Sequence, residues 1–237
     1  MNLRKKRFSE ISIDDALLHF SQRITPERLQ RLKDVLSLRS NYVVPVMEDL
    51  YQEQNAGAIV RTAECCGFQE VAIIERLNSY KLASGIAKGA QKWIDVSVYD
   101  AQFDTPMEQV VQAFKNKSFR LVGACPHSNG YVAETLPLDR PIALFFGAEK
   151  KGLHEDIRSQ MEDFVAIPMR GFTESYNVSV SAAIILQTIR QRLEASDVSF
   201  LLPESDRKEL LLEWIIRSIP RGEDVFSHWM SNYVSQT

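Results

Sequence analysis

From residue 42 onward the chain alternates short, almost unbroken apolar runs with amphipathic stretches, and few folds accept that alternation. The runs cover residues 42–47, 70–74, 94–99, 119–125, 141–146 and 164–168. Helix-like stretches lie near 55–66, 106–115, 153–161 and 177–193. A strand that is apolar at nearly every residue must be buried on both faces, as in a parallel sheet covered by helices on both sides. The pattern predicts an α/β domain over residues 41–195 built on a mostly parallel sheet. Residues 1–40 read as a basic helical extension. Within it, 24–38 is a helix with Thr25 as cap, Pro26 in the first turn and Glu27 adding favourable charge there. Residues 196–237 read as a helical tail, with a helix over 207–216 that places Leu210, Leu211, Trp214 and Ile215 on one side.

Composition excludes several classes. Of 237 residues, 45% are hydrophobic, enough for a good core. No apolar run approaches the roughly 20 residues that span a bilayer. The basic start is followed by polar and acidic residues 9–15, where a secretory signal would be apolar, so a cytoplasmic protein is expected. The three cysteines, Cys65, Cys66 and Cys125, form no C-x-x-C pair and read as reduced, structural thiols. The four histidines, His19, His127, His154 and His228, show no ligand spacing, so no metal is expected. G-x-G-x-x-G after a strand, the phosphate-binding loop and the G-x-S-x-G elbow are all missing. The net charge of −3 is unevenly spread: residues 1–40 hold nine Lys or Arg against five Asp or Glu, a surplus of four. A basic arm on an acidic body can grip phosphates locally.

Three segments remain, each dense in small and polar residues where a strand ends or a helix begins. Ligands bind at such strand ends in parallel sheets. NAGAIVRT, residues 55–62, offers Asn55 as a helix cap and small residues for close approach. Arg61 follows Asn55 by six residues, about 600° around a helix, so the two side chains need not point together. ALFFGAEKKGL, residues 143–153, runs an apolar strand into Gly147, then Glu149. VAIPMRGFTESYNVSVSAAIIL, residues 165–186, ends a strand at Pro168, turns at Gly171 and can cap its helix with Ser175 or Asn177.

In this order the three segments resemble the three motifs of the SpoU/TrmH branch of the SPOUT methyltransferases. The likeness also covers TPERLQRLKDVLSLR (25–39) and YVVPVMEDL (42–50). The resemblance implies a C-terminal trefoil knot in the sheet, with S-adenosylmethionine held by loop backbone at Ala124, Cys125, Gly147, Ile167, Pro168, Met169 and Tyr176. Family sequences often have leucine where Tyr176 stands. It implies that Arg61 acts on a ribose 2′-hydroxyl, with Asn55, Glu149, Ser175 and Asn177 matching the other catalytic motif residues. A free guanidinium loses its proton only above about pH 12, so service as a base near pH 7 costs roughly 7 kcal/mol. A charged clamp on phosphate and developing alkoxide is the less demanding role. RNA contacts are expected from Arg28, Arg31, Arg39, Arg190 and Arg192. The family resemblance further implies a homodimer with Arg61 of one subunit serving the other, and the small residues of the 177–193 helix make it the expected interface. The nearest members methylate the D-loop guanosine at tRNA position 18. A ribosomal RNA 2′-O-methyltransferase is the alternative, and a noncatalytic RNA-binding protein with this fold a third. Fewer than about 45 residues precede the first strand, which favours tRNA over those rRNA enzymes that carry a separate RNA-binding domain.

Overall fold

The computed structural model describes residues 7–77, 89–100 and 107–235. Arg4, Lys5 and Lys6 of the basic start, and Pro106 of one helix-like stretch, lie outside the described residues. The chain divides into two compact units, Ser40–Phe200 and the two termini, Met1–Arg39 with Leu201–Thr237.

The central unit is a seven-stranded parallel sheet. Its strands are β1 (Val43–Glu48), β2 (Glu70–Glu75), β3 (Asp95–Asp100), β4 (Arg120–Ala124), β5 (Tyr131–Val132), β6 (Ile142–Phe146) and β7 (Asp163–Ala166). Their order is β3-β2-β1-β6-β4-β7-β5. The unit's helices are α3 (Glu53–Cys65), α4 (Met107–Asn116), α5 (Glu155–Arg158) and α6 (Val178–Glu194). Alternate residues of β1 feed two separate cores, as burial on both faces demands. Val43 and Met47 join Ile59 and Val60 of α3 and Ile185 and Ile189 of α6. Val44 and Val46 join Val110 and Phe114 of α4 and Ile157 of α5. The helix expected over 153–161 is regular only through the four residues of α5.

The sheet order places the site. The chain winds outward from β1 to β2 and β3, then crosses to the other side of β6 as β4. A crevice opens where winding reverses, beyond the carboxyl ends of the strands. Strands β1, β6, β4 and β7 are consecutive neighbours there. The loops after them begin at Asp49, Gly147, Cys125 and Ile167, so sheet topology alone gathers all the predicted segments to one edge.

The terminal unit contains α1 (Ile13–Ser21), α2 (Pro26–Leu36), α7 (Glu204–Ser218) and α8 (Gly222–Val234). Thr25 caps α2 as expected, its hydroxyl accepting from the Arg28 amide at 3.2 Å. Helix α7 buries Leu210, Leu212, Trp214, Ile215 and Ile216, most of its circumference rather than one stripe. Arg39, expected on an RNA-facing surface, is instead 1% exposed with its guanidinium 5.2 Å from the Trp214 ring centre. A cation over an indole face tolerates burial that an isolated charge would not.

Candidate active site

A chain of hydrogen bonds joins the three sequence-distant segments. The Glu149 carboxylate accepts from Asn55 Nδ2 at 2.7 Å and from the amides of Tyr51 and Gln52 at 3.1 and 3.3 Å. Asn55 Oδ1 accepts from Asn177 Nδ2 at 3.1 Å. Asn177 Oδ1 in turn accepts from the amide and hydroxyl of Ser179, at 2.8 and 2.7 Å, and so caps α6. Burial pushes the Glu149 carboxyl up, but the Asn55 amide and the backbone donors outweigh it and hold its pKa below the ordinary glutamate value.

Asn55 is not the cap it was expected to be. Helix α3 starts at Glu53 with Gln52 in the cap position, and Asn55 sits in the first turn, 5% exposed. Glu149 supplies acceptors to the amides just ahead of α3, so the Asn55 side chain turns inward instead. Ser175 also caps nothing; it lines the neighbouring cavity.

That cavity has a volume of about 640 Å³, inside the range of roughly 300–1,000 Å³ usual for small-molecule sites. Ala124 and Cys125 reach it from the end of β4, Gly147 from β6, Ile167 and Met169 from β7, and Tyr176 from the approach to α6. Glu149 and Asn177 of the hydrogen-bonded chain lie on the same wall. Pro168 is exposed and is not among the lining residues. The wall needs glycine at 147, because a Cβ there would stand 2.1 Å from the Gly152 carbonyl carbon. The loop closes on itself where the Gly152 amide donates to the Ala148 carbonyl at 2.8 Å, with Gly152 at φ +67°. Lys150, Lys151, His127 and Arg158 add positive or protonatable groups to the lining.

Behind the loop lies a cluster that sequence reasoning missed. Glu48, at the end of β1, is 1% exposed; it accepts from Arg76 Nε at 2.6 Å and from the His154 amide at 2.9 Å. Arg76 also reaches Asp156 at 2.6 Å, and Asp156 lies 2.8 Å from His154 Nδ1. Burial pushes the Glu48 carboxyl above the ordinary glutamate value, only partly offset by the His154 amide and Arg76. The cluster fastens the far end of the 147–153 loop to β1 and β2. A carboxylate closing a fully buried strand was the available signal, since such a group needs partners.

The predicted cations divide. Arg28 and Arg31 are exposed on α2, while Arg190 is 6% exposed, paired with Glu194 at 2.7 Å and stacked on Phe200. Arg192 donates through Nη1 to the carbonyls of Ala133 and Leu136, at 2.7 and 2.8 Å. Neither Arg190 nor Arg192 is a free surface cation here. Arg61 is exposed on α3 and does not line the cavity of its own chain. Among the described residues, no group of three or more His, Cys, Asp or Glu is placed to hold a metal, and no helix is long and apolar enough to cross a membrane. Burial raises the Cys66 thiol to about 11, in keeping with an inert thiol.

The chain is 34% identical over 195 residues to the tRNA (guanosine(18)-2′-O)-methyltransferase of Borreliella burgdorferi, covering 82% of this chain and 87% of that protein. It is 28% identical over 178 residues to the 23S rRNA (guanosine-2′-O-)-methyltransferase RlmB of Nitrosomonas europaea, covering 74% and 67%. The crystal structure of the TrmH/SpoU tRNA modifying enzyme of A. aeolicus superposes with a TM-score of 0.70 at 28% identity, covering 82% of this chain and 98% of that one. The sequence profile of the SpoU rRNA Methylase family matches residues 42–187, and the chain belongs to that family.

Proposed function

We propose that this chain transfers a methyl group from S-adenosylmethionine to a ribose 2′-hydroxyl of RNA, at the D-loop guanosine 18 of tRNA, as a cytoplasmic homodimer with a knotted sheet. The observation that carries this reading is the Glu149–Asn55–Asn177 chain, which draws three family motifs to the rim of one cavity. The cavity fits the donor: its volume is suitable, its backbone is bare at Gly147, and Ile167 and Met169 offer apolar walls for a purine. Ala124, Cys125, Gly147, Ile167, Met169 and Tyr176 would hold it, and Pro168 would not touch it. When bound, the donor supplies a methyl group on a positively charged sulfur, which departs as a neutral thioether.

The protein's part is positioning, which contributes much of the rate in such transfers. Arg61 acts on the 2′-hydroxyl, taking its proton or, fully charged, stabilising the developing alkoxide. Asn55, Glu149, Ser175 and Asn177 hold the motifs in register around the target ribose. Because Arg61 lies outside the cavity of its own chain, it serves the partner's. Helix α6 presents Val180 and Ile184, 44% and 37% exposed and four residues apart, beside Tyr176 at 47%. These apolar groups form the dimer face, whereas Ala182 is buried against the chain's own core. In support of the knot, β7 pairs with β4 and β5 rather than with β6 before it, and Arg192 ties α6 to the turn after β5. Exposed Arg28 and Arg31 contact phosphates.

The second reading, an rRNA 2′-O-methyltransferase, draws on the 28% likeness to RlmB. The higher identity and fuller coverage of the tRNA enzyme favour the first. The test is methyl transfer from labelled S-adenosylmethionine to bulk tRNA and to 23S rRNA in parallel, with the modified nucleotide mapped. Label at guanosine 18, lost from a transcript carrying adenosine there, is expected. Label confined to rRNA establishes the second reading, and label on a base overturns both.

A further inference from the structure

The terminal unit contains a cleft of about 590 Å³ between the end of α1 and one face of α8. Helical spacing builds its α8 wall: Asp224, Val225, His228, Trp229 and Asn232 recur at intervals of three and four, with Arg221 in the cap position ahead of them. Helix α1 contributes His19, and Arg23 follows just beyond its end. The rings form a ladder. His19 stacks on Trp229 at 5.6 Å and 29° between planes, and Trp229 lies 4.9 Å and 31° from Tyr233. Arg23 donates to His19 Nε2 at 3.1 Å, which leaves that ring neutral with its other nitrogen carrying the proton. Arg221 pairs with Asp224 at 2.9 Å, and its side chain remains 84% exposed.

Two further observations set this face apart from ordinary surface. Arg221 adopts φ +52°, a left-handed conformation disfavoured for a residue with a side chain. Its neighbour must be glycine, since a Cβ at Gly222 would stand 1.8 Å from the Ile216 carbonyl oxygen. The tight turn between α7 and α8 sets this arginine in the lining of the cleft. Charge within the lining points the same way: the guanidinium groups of Arg23 and Arg221 stand against the single carboxylate of Asp224. A polyanion is therefore favoured over an acidic or neutral protein surface that offers nothing to the ring ladder.

We propose that this cleft binds a nucleotide of the RNA substrate other than the one methylated, its base stacked on the Trp229 ladder and its phosphates paired with Arg23 and Arg221. Aromatic faces flanked by guanidinium groups are the physical requirement for holding an unpaired base and its backbone. The inference rests on the RNA reading above, but its failure is separately visible. The full chain is titrated with a labelled unmodified tRNA transcript at several salt concentrations, and methyl transfer is measured alongside.

The double substitution Arg23→Gln with Arg221→Gln is expected to weaken RNA binding and flatten the log–log salt slope by about 0.7 for each phosphate that no longer pairs with a guanidinium. Trp229→Leu is expected to weaken binding roughly tenfold, and Trp229→Phe to restore most of it, since one stacked base is worth about that much. KM for RNA should rise while kcat and donor affinity stay within about twofold. Should Trp229→Leu fail to fold, the two exposed arginines carry the test. Unchanged affinity and salt slope in the folded double variant would overturn the proposal, as would displacement of the tRNA by polyglutamate as readily as by oligoribonucleotide. If the wild type binds tRNA through this cleft yet transfers no methyl group, the enzymatic reading fails and the cleft stands.

Discussion

Replacing Asn55 with alanine removes the middle link between the three motifs. The side chain donates at 2.7 Å to the Glu149 carboxylate and accepts at 3.1 Å from Asn177. A hydrogen bond to a charged group contributes about 1.5–3 kcal/mol and a neutral one about 0.5–1.5 kcal/mol. Glu149 and Asn177 are both exposed enough to recruit water, which lowers the loss. Alanine also gains roughly 0.5 kcal/mol of helix propensity over asparagine. The net cost is about 2 kcal/mol, or a fall of about 4–8 °C in Tm for a chain of this size. Catalysis should suffer more than stability, because misplacement by about 1 Å can cost a hundredfold in rate. Thermal unfolding followed by circular dichroism, with labelled methyl transfer below the new Tm, separates the two effects. Asn55→Asp should be worse than alanine, since it sets a second carboxylate against Glu149. In a double-mutant cycle, Asn55→Ala and Glu149→Ala should be strongly non-additive. An Asn55→Ala protein with unshifted Tm and full activity would refute the claim that this side chain organises the site.

Further outcomes follow from the same geometry. Glu48→Ala leaves Arg76 with Asp156 alone and the His154 amide with no acceptor, so it should destabilise by about 3 kcal/mol in urea unfolding, with Glu48→Gln closer to wild type. Gly147→Ala drives a methyl group into the Gly152 backbone and should weaken donor binding, read by calorimetry, more than tenfold. The folded-state pKa of Glu149 is depressed, so its stability contribution is present above the unfolded value near 4.5 and is lost as pH falls through the folded value. Glu149→Gln should flatten the stability profile in that acidic window, and an unchanged profile would contradict the assignment.

How much of this was legible beforehand depended on whether the cause was local. Strands β1, β2, β4 and β6 are apolar at almost every residue, and a strand buried on both faces must look so. The two-residue β5 has no such pattern; it exists because β7 offers it an edge. The Asn177 cap is a local hydrogen bond and was readable, whereas Asn55 was misplaced because Glu149, 94 residues away, supplies acceptors at that helix start. Charge points Arg39 and Arg192 toward RNA, but neither faces it freely. Their partners, the Trp214 ring and the Ala133 and Leu136 carbonyls, come from tertiary packing that no sequence window contains. The apolar residues of α7 were visible, but not that the two termini would fold together into one unit.

The central physical claim is that loops following four neighbouring strands close around a methyl donor. A crystal structure of the chain with S-adenosylhomocysteine tests it directly. The ligand is expected against the backbone at Gly147 and between the Cys125 and Ile167–Met169 loops, with Arg61 of a second subunit at the opening. Ligand bound elsewhere, or those loops parted with Asn55 and Glu149 out of contact, would contradict it.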